Sequence, residues 1–276
     1  MKRVHYIICS LLVSLAAVGV TTPVQASEAE AQQLWRAGNS AYAAAEYDMA
    51  IDCYKAILEM GYESDVLYYN LGNAYFKRGE SNVATDGVTA FCSGELGYAI
   101  LNYERALKLN PAMEDAQYNL KHANKLLTNV PKPVPQNFVT NIWRSMSGIA
   151  GSNTWAVVSL VMFGATLALV LVYLLVGRIG LRKLSFFGAI VTLLIFIVTT
   201  AFAVTQRSWQ LDDSRAIIVY NGEANIHPEP NKSSPKIRSY TQGIAVEVLS
   251  GDSEWSEVRF ADGEKGWIRT DYIEKI

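Results

Sequence analysis

Cysteine and histidine are scarce in this chain. Its three cysteines are Cys9, Cys53 and Cys92, and its three histidines are His5, His122 and His227. None of them forms a CxxC pair, a Cys/His couple or a Ser/His/Asp constellation. A disulfide framework, a zinc site, a thioredoxin-like centre and a catalytic triad are therefore not supported. Cys53 reads as a packing residue, and Cys92 as a lone thiol without a base. No catalytic residue, cofactor or metal is nominated, and the expectation is a protein that is not an enzyme. A basic excess is missing too. The net charge is -2, with 14 acidic against 8 basic residues over 27–130 and 12 against 9 from Gln206 onward. That balance makes nucleic acid a poor partner.

Charge is absent altogether from two stretches, Trp155 to Val176 and Leu184 to Thr205. Each holds about 22 residues, which as a helix at roughly 1.5 Å per residue cross a bilayer. Buried core helices are the alternative, but such helices rarely run so long without a charge. The connecting residues 177–183 carry Arg178, Arg182 and Lys183 and no acid. The expectation is two transmembrane helices, 155–176 and 184–205, with 177–183 as a cytoplasmic loop and both flanking domains on the other side. This amounts to an inner-membrane protein with periplasmic domains. Residues 1–26 agree: Lys2 and Arg3, an apolar run, then Val24-Gln25-Ala26 read as an export signal peptide. Whether it is cleaved or kept as an anchor stays open.

Residues 27–130 are helical in pattern and self-similar at an offset of 34. Trp35 recurs as Tyr69, Gly38 as Gly72, Asn39 as Asn73 and Tyr42 as Phe76. That period is the signature of the tetratricopeptide repeat (TPR), a solenoid of paired helices. The second repeat adds Tyr68, Leu71 and Tyr75, then Ala99, Tyr103, Ala106 and Pro111, and 115–127 reads as a capping helix. Gly38 and Ala50 are 12 apart but Gly72 and Ala99 are 27 apart, so about 15 residues near 80–94 are inserted. Asp86-Gly87 and Ser93-Gly94 suggest an exposed loop there. The first helices of successive repeats line a groove, so Trp35, Asn39, Tyr42, Tyr69, Asn73, Phe76, Lys77, Tyr118 and His122 are the candidate partner-binding set. Asparagine supplies a donor and an acceptor for a peptide backbone, and aromatics supply contact area. Packing between repeats is the competing role.

Pro131, Pro133 and Pro135 predict a stiff, extended linker, and 138–149 an interfacial helix or a loose loop before the membrane; together they fill 131–154. From residue 206 to 276 the periodicity falls to two. Ile217 to Val219, Ala245 to Leu249, Trp255 to Val258 and Gly266 to Ile268 read as short strands, joined at Gly251-Asp252 and Asp262-Gly263. This order resembles the bacterial SH3 family, departing at His227 and Glu229. Trp255, Trp267 and Tyr272 are either a binding surface or core.

A multidomain membrane protein with an all-α TPR solenoid, a transmembrane hairpin and a small all-β SH3-like barrel resembles BatE, the TPR-containing family of the Bat aerotolerance operon. The likeness is carried by residues 68–75, 102–111 and 266–268. It implies partners among von Willebrand factor A-domain membrane proteins, and a link to oxidative stress. The expected function is a non-catalytic envelope scaffold. The alternative is a peptidoglycan binder acting through the barrel.

Overall fold

The computed structural model describes residues 23–86, 95–135 and 137–276. Among these residues it is mostly helical, with eight helices and a small antiparallel sheet at the C-terminal end. By contacts the chain divides into two units, 1–63 and 64–276. Most of the expected export signal, 1–22, lies outside the described residues, as do Cys9 and Cys92.

The first unit is a helix pair, α1 (Pro23–Ala43) and α2 (Tyr47–Glu59). Ala45 takes a left-handed conformation (φ 62°) to turn the chain between them. The pair closes around Tyr54, which is almost wholly buried. A Cβ on Gly38 would sit 2.7 Å from the Tyr54 ring, so a helix position without a side chain is what lets the two helices meet there. The Tyr54 hydroxyl then donates to Asn39 Oδ1 at 2.8 Å.

The second unit opens on the same arrangement. α3 (Asp65–Asp86) pairs with α4 (Glu95–Leu109), and Tyr103 lies on Gly72, whose Cβ would come within 2.8 Å of the ring. The Tyr103 hydroxyl donates to Asn73 Oδ1 at 2.8 Å. Gly38-Asn39 with Tyr54 and Gly72-Asn73 with Tyr103 are thus one lock used twice. In the second copy the tyrosine is 30 residues from its asparagine instead of 15. That difference is the inserted stretch, but its first part is not a loop: α3 continues through 80–86, and 87–94 lie outside the described residues. Residues 79–86 contain no proline, so nothing stops the helix before the Asp86-Gly87 turn signal.

Pro111 follows the end of α4, and α5 (Glu114–Asn124) packs back on it. The capping helix stops three residues short of Leu127, whose side chain leaves the helix and packs against the barrel core. The proline stretch is not a free spacer either. Pro131 is buried and the Val134 amide donates to the Ala261 carbonyl at 3.0 Å, so this segment runs along the barrel.

α6 (Phe138–Ser147) is the helix expected before the membrane; Phe138, Val139, Ile142 and Met146 on it are exposed. α7 (Ser152–Leu175) and α8 (Ile179–Gln210) are the two apolar helices, each long enough to span a membrane. The turn between them is only 176–178, and Arg182 and Lys183 stand on the first turn of α8 instead of in a loop. α8 has 32 residues, roughly 48 Å, so its C-terminal turns extend past an apolar layer of about 30 Å. The helices pack closely through small residues. Thr166 Oγ1 donates to Thr192 Oγ1 at 2.8 Å, and Gly188 faces Leu169. Outward-facing leucines and phenylalanines remain exposed along both, as a lipid-facing surface requires.

The C-terminal barrel comprises β1 (Arg215–Ile218), β2 (Ala224–Ile226), β3 (Arg238–Tyr240), β4 (Ala245–Gly251), β5 (Trp255–Arg259), β6 (Lys265–Arg269) and β7 (Ile273–Lys275). Five strands pair in the order β6-β5-β4-β1-β7, and β2 pairs with β3. A bridge between His227 and Trp267 joins the two sheets. Ile226 crosses directly over Gly266, where any Cβ would collide with its side chain, which explains glycine at the head of the Gly266-Trp267-Ile268 strand. Ala216, Ile218, Ile226, Tyr240, Val246, Val258, Phe260 and Ile268 fill the interior.

Candidate functional sites on the helices and the barrel

The nominated helix residues fall into two groups, one in each unit. In the first, Trp35 meets the Tyr54 ring (centroids 5.7 Å apart) and Tyr42 meets Tyr47 edge-on at 5.6 Å. Asn39 holds the Tyr54 hydroxyl. Trp35, Asn39 and Tyr42 are all half-buried.

In the second group Asn73 Oδ1 accepts twice, from the Tyr103 hydroxyl and from Asn119 Nδ2, each at 2.8 Å. Asn119 also reaches the Tyr69 hydroxyl at 3.3 Å, and Tyr69 lies 6.2 Å from the Tyr103 ring. Phe76 is buried and meets His122 at 5.6 Å. Lys77 pairs with Glu80 at 2.7 Å on the surface, and Tyr118 is 73% exposed. The carbonyl half of each repeated asparagine is therefore spent inside its own helix pair. A carbonyl that accepts from a buried tyrosine is a structural element, whatever else the amide does. The second group still presents Tyr118 and Lys77 outward.

Sequence reasoning missed Asn119, and it missed the stacked pair Tyr75 and Tyr98 (5.0 Å, 19° between planes). Arg78 covers the Tyr75 ring and pairs with Glu95 at 2.8 Å. Burial pushes the Tyr75 hydroxyl up to about 12, against the opposing pull of Arg78. The repeat pattern marks Tyr75 but not its partners Tyr98 and Glu95, which another helix supplies.

In the barrel, the three nominated aromatics separate. Trp255 is 5% exposed, with its ring edge-on to His227; it shares a face of β5 with Glu257 and Arg259, opposite Val258 of the core, and is covered there by neighbouring side chains. Trp267 and Tyr272 are half-buried. Tyr272 stacks on Tyr220 at 3.8 Å with Arg269 over its ring, a pairing absent from the sequence reading. Burial, then the neighbouring Tyr220 hydroxyl, raises the Tyr272 hydroxyl above the ordinary tyrosine range.

The contact that sequence reasoning did not foresee at all is between α4 and the barrel. α4 is buried almost all round: Ala99, Tyr103 and Ala106 belong to the α3 side, while Gly97 and Ile100 meet the barrel. The Gly97 amide donates to Gln242 Oε1 at 3.0 Å, and a Cβ there would be 2.9 Å from the Ile218 carbonyl oxygen. Around this contact Arg105 pairs with Glu274 at 3.0 Å and Glu104 with Arg215 at 2.8 Å. Lys108 donates to the Ile276 carbonyl at 2.8 Å and pairs with Asp213. The barrel is thereby a fixed part of the helical domain, not a module on a tether. A mixed apolar centre with a charged rim is the usual anatomy of such an interface.

None of the curated proteins matches the chain. Residues 222–274, from the turn before β2 to β7, match the family model of the bacterial SH3 domain.

Proposed function

We propose that this chain is a membrane-anchored, non-catalytic scaffold of the cell envelope. In this reading α1 to α5 are a short TPR array, closed by α5, that takes a protein partner on the faces holding Trp35, Asn39, Tyr42, Tyr69, Asn73, Phe76, Lys77, Tyr118 and His122. The observation that supports it most is the repeated lock: the same glycine, asparagine and tyrosine hold two helix pairs at a 34-residue offset. The resemblance to BatE suggests a Bat-type aerotolerance complex with von Willebrand factor A-domain membrane proteins. The SH3 match supports a second reading, peptidoglycan binding through the barrel, for which Tyr220 and Tyr272 offer a stacked aromatic face. Two assays run side by side separate them: a pull-down from solubilised membranes, and sedimentation with isolated sacculi. The scaffold reading expects a co-purifying membrane protein in stoichiometric amount and no sacculus binding. Saturable sacculus binding without such a partner overturns it.

The same proposal places both soluble domains outside the cytoplasm and the turn near Gly180 inside, because Arg178, Arg182 and Lys183 crowd that end of the hairpin. An alkaline phosphatase fusion after Tyr240 is expected to be active and one at Gly180 inactive. The reverse pattern rejects the orientation.

A further inference from the structure

Where α8 emerges beyond its apolar stretch, a cavity of about 540 Å³ opens between α4, α5, α6 and the last turns of α8. That volume lies in the range of small-molecule pockets. Its walls are largely apolar, with Leu107, Pro111, Leu120, Trp143 and Trp209. Most polar groups around it already have partners. Trp143 Nε1 donates to Thr205 Oγ1 at 3.2 Å, Ser152 Oγ donates to Gln210 Oε1 at 3.1 Å, and Arg215 pairs with Glu104 at 2.8 Å. Two further groups matter. Gln206, on α8, is 4% exposed, and its Oε1 is buried with no hydrogen-bond partner among the described residues. Arg144, on α6, lies over the Trp209 ring at 5.5 Å and has no carboxylate partner among the described residues.

A buried acceptor without a donor costs about 1–3 kcal/mol, so an orphaned carbonyl on a residue lining the cavity points to a ligand that donates. A guanidinium without a carboxylate asks for an anion, and its planar fork suits a phosphate. The missing complement is therefore one molecule carrying both a phosphate and a hydroxyl or ammonium donor. Beside the cavity run the exposed apolar flanks of α7 and α8, which would accommodate acyl chains. We propose that this pocket binds the headgroup of a phosphodiester lipid, with the phosphate on Arg144 and the headgroup donor on Gln206 Oε1. The proposal rests on the membrane reading of α7 and α8, which the fusions test separately.

Native mass spectrometry of the full chain in mild detergent provides the test, with added phosphatidylglycerol, which carries hydroxyl donors, or phosphatidylcholine, which carries none on its headgroup. One equivalent of phosphatidylglycerol is expected to stay bound, at least tenfold more tightly than phosphatidylcholine. Arg144→Gln and Gln206→Met should each lower that retention about tenfold, and Leu120→Trp, which fills the cavity, should abolish it. Arg144 is exposed, so its substitution does not threaten folding even if Gln206→Met does. Glycerol 3-phosphate is the competitor: displacement of the lipid assigns the site to the phosphate ester itself, and failure to displace assigns it to the whole lipid. Equal retention of the two lipids, or retention unchanged in Arg144→Gln and Leu120→Trp, overturns the proposal.

Discussion

Tyr103→Ala is expected to destabilise the α3–α4–α5 cluster by about 3–5 kcal/mol, the cost of truncating a fully buried aromatic. Tyr103 is 1% exposed and its ring covers Gly72, so removing it leaves a void that two helix backbones cannot close without moving. The same substitution also removes the donor that Asn73 Oδ1 accepts. The two effects separate in Tyr103→Phe, which keeps the ring and loses only the hydroxyl, and should cost about 1 kcal/mol. Asn73 keeps Asn119 as a donor in that variant, which limits the damage. Asn73→Ala is worse than Tyr103→Phe, because it removes at once the acceptor shared by the Tyr103 hydroxyl and the Asn119 amide, for about 1–3 kcal/mol. Thermal melts of the full chain followed by circular dichroism provide the measurement. Tyr103→Ala should lower the midpoint by roughly 10 °C. A midpoint within a degree of the parent would mean that Tyr103 is not the keystone of this cluster.

That ranking shows what the 34-residue offset could and could not reveal. It paired Gly38 with Gly72 and Asn39 with Asn73 correctly, because a repeated fold needs the same small and polar residues at the same places. It could not say that the asparagines face tyrosines of their own helix pair, since Tyr54 and Tyr103 stand at different distances from them once the insertion intervenes. The two apolar helices were legible from the absence of charge, but their ends were not. Arg182 and Lys183 read as loop, yet they ride on the first turn of α8, where long side chains of a helix can reach water as easily as those of a loop. The strands β1, β4, β5 and β6 were visible by alternation or turn signals. β2, β3 and β7, three residues each, are too short to carry a period and exist only through their partners. The cavity at Gln206 was invisible for the same reason, being assembled from helices far apart in sequence.

The α4–barrel contact makes a second prediction, one whose sign alone is informative. Gly97 is the third residue of α4, and in an isolated helix Gly→Ala stabilises by up to about 1 kcal/mol. With the barrel docked, the new Cβ would sit 2.9 Å from the Ile218 carbonyl oxygen and 3.2 Å from Val219 Cα. These are backbone atoms of β1 and its continuation, and they cannot swing aside as a side-chain tip would. Overpacking against such a wall costs about 1–3 kcal/mol, which cancels or exceeds the helix gain. The ion pairs at the rim cannot compensate: Arg105 with Glu274 and Lys108 with Asp213 are partly exposed and worth about 0–1 kcal/mol each. Gly97→Ala should therefore fail to stabilise, and Gly97→Leu should open the interface while leaving the barrel folded. Hydrogen exchange reads this directly. The amides of Trp267 and Phe260, bonded to the His227 and Glu264 carbonyls within the barrel, serve as the control, whereas the Gly97 amide, held by Gln242, should exchange about 10–100-fold faster in Gly97→Leu. Arg105→Ala should change the exchange of Gly97 less than Gly97→Leu changes its own residue's. If Gly97→Ala raises the melting midpoint and Gly97→Leu leaves exchange across the contact unaltered, the barrel is tethered to α4 and not seated on it.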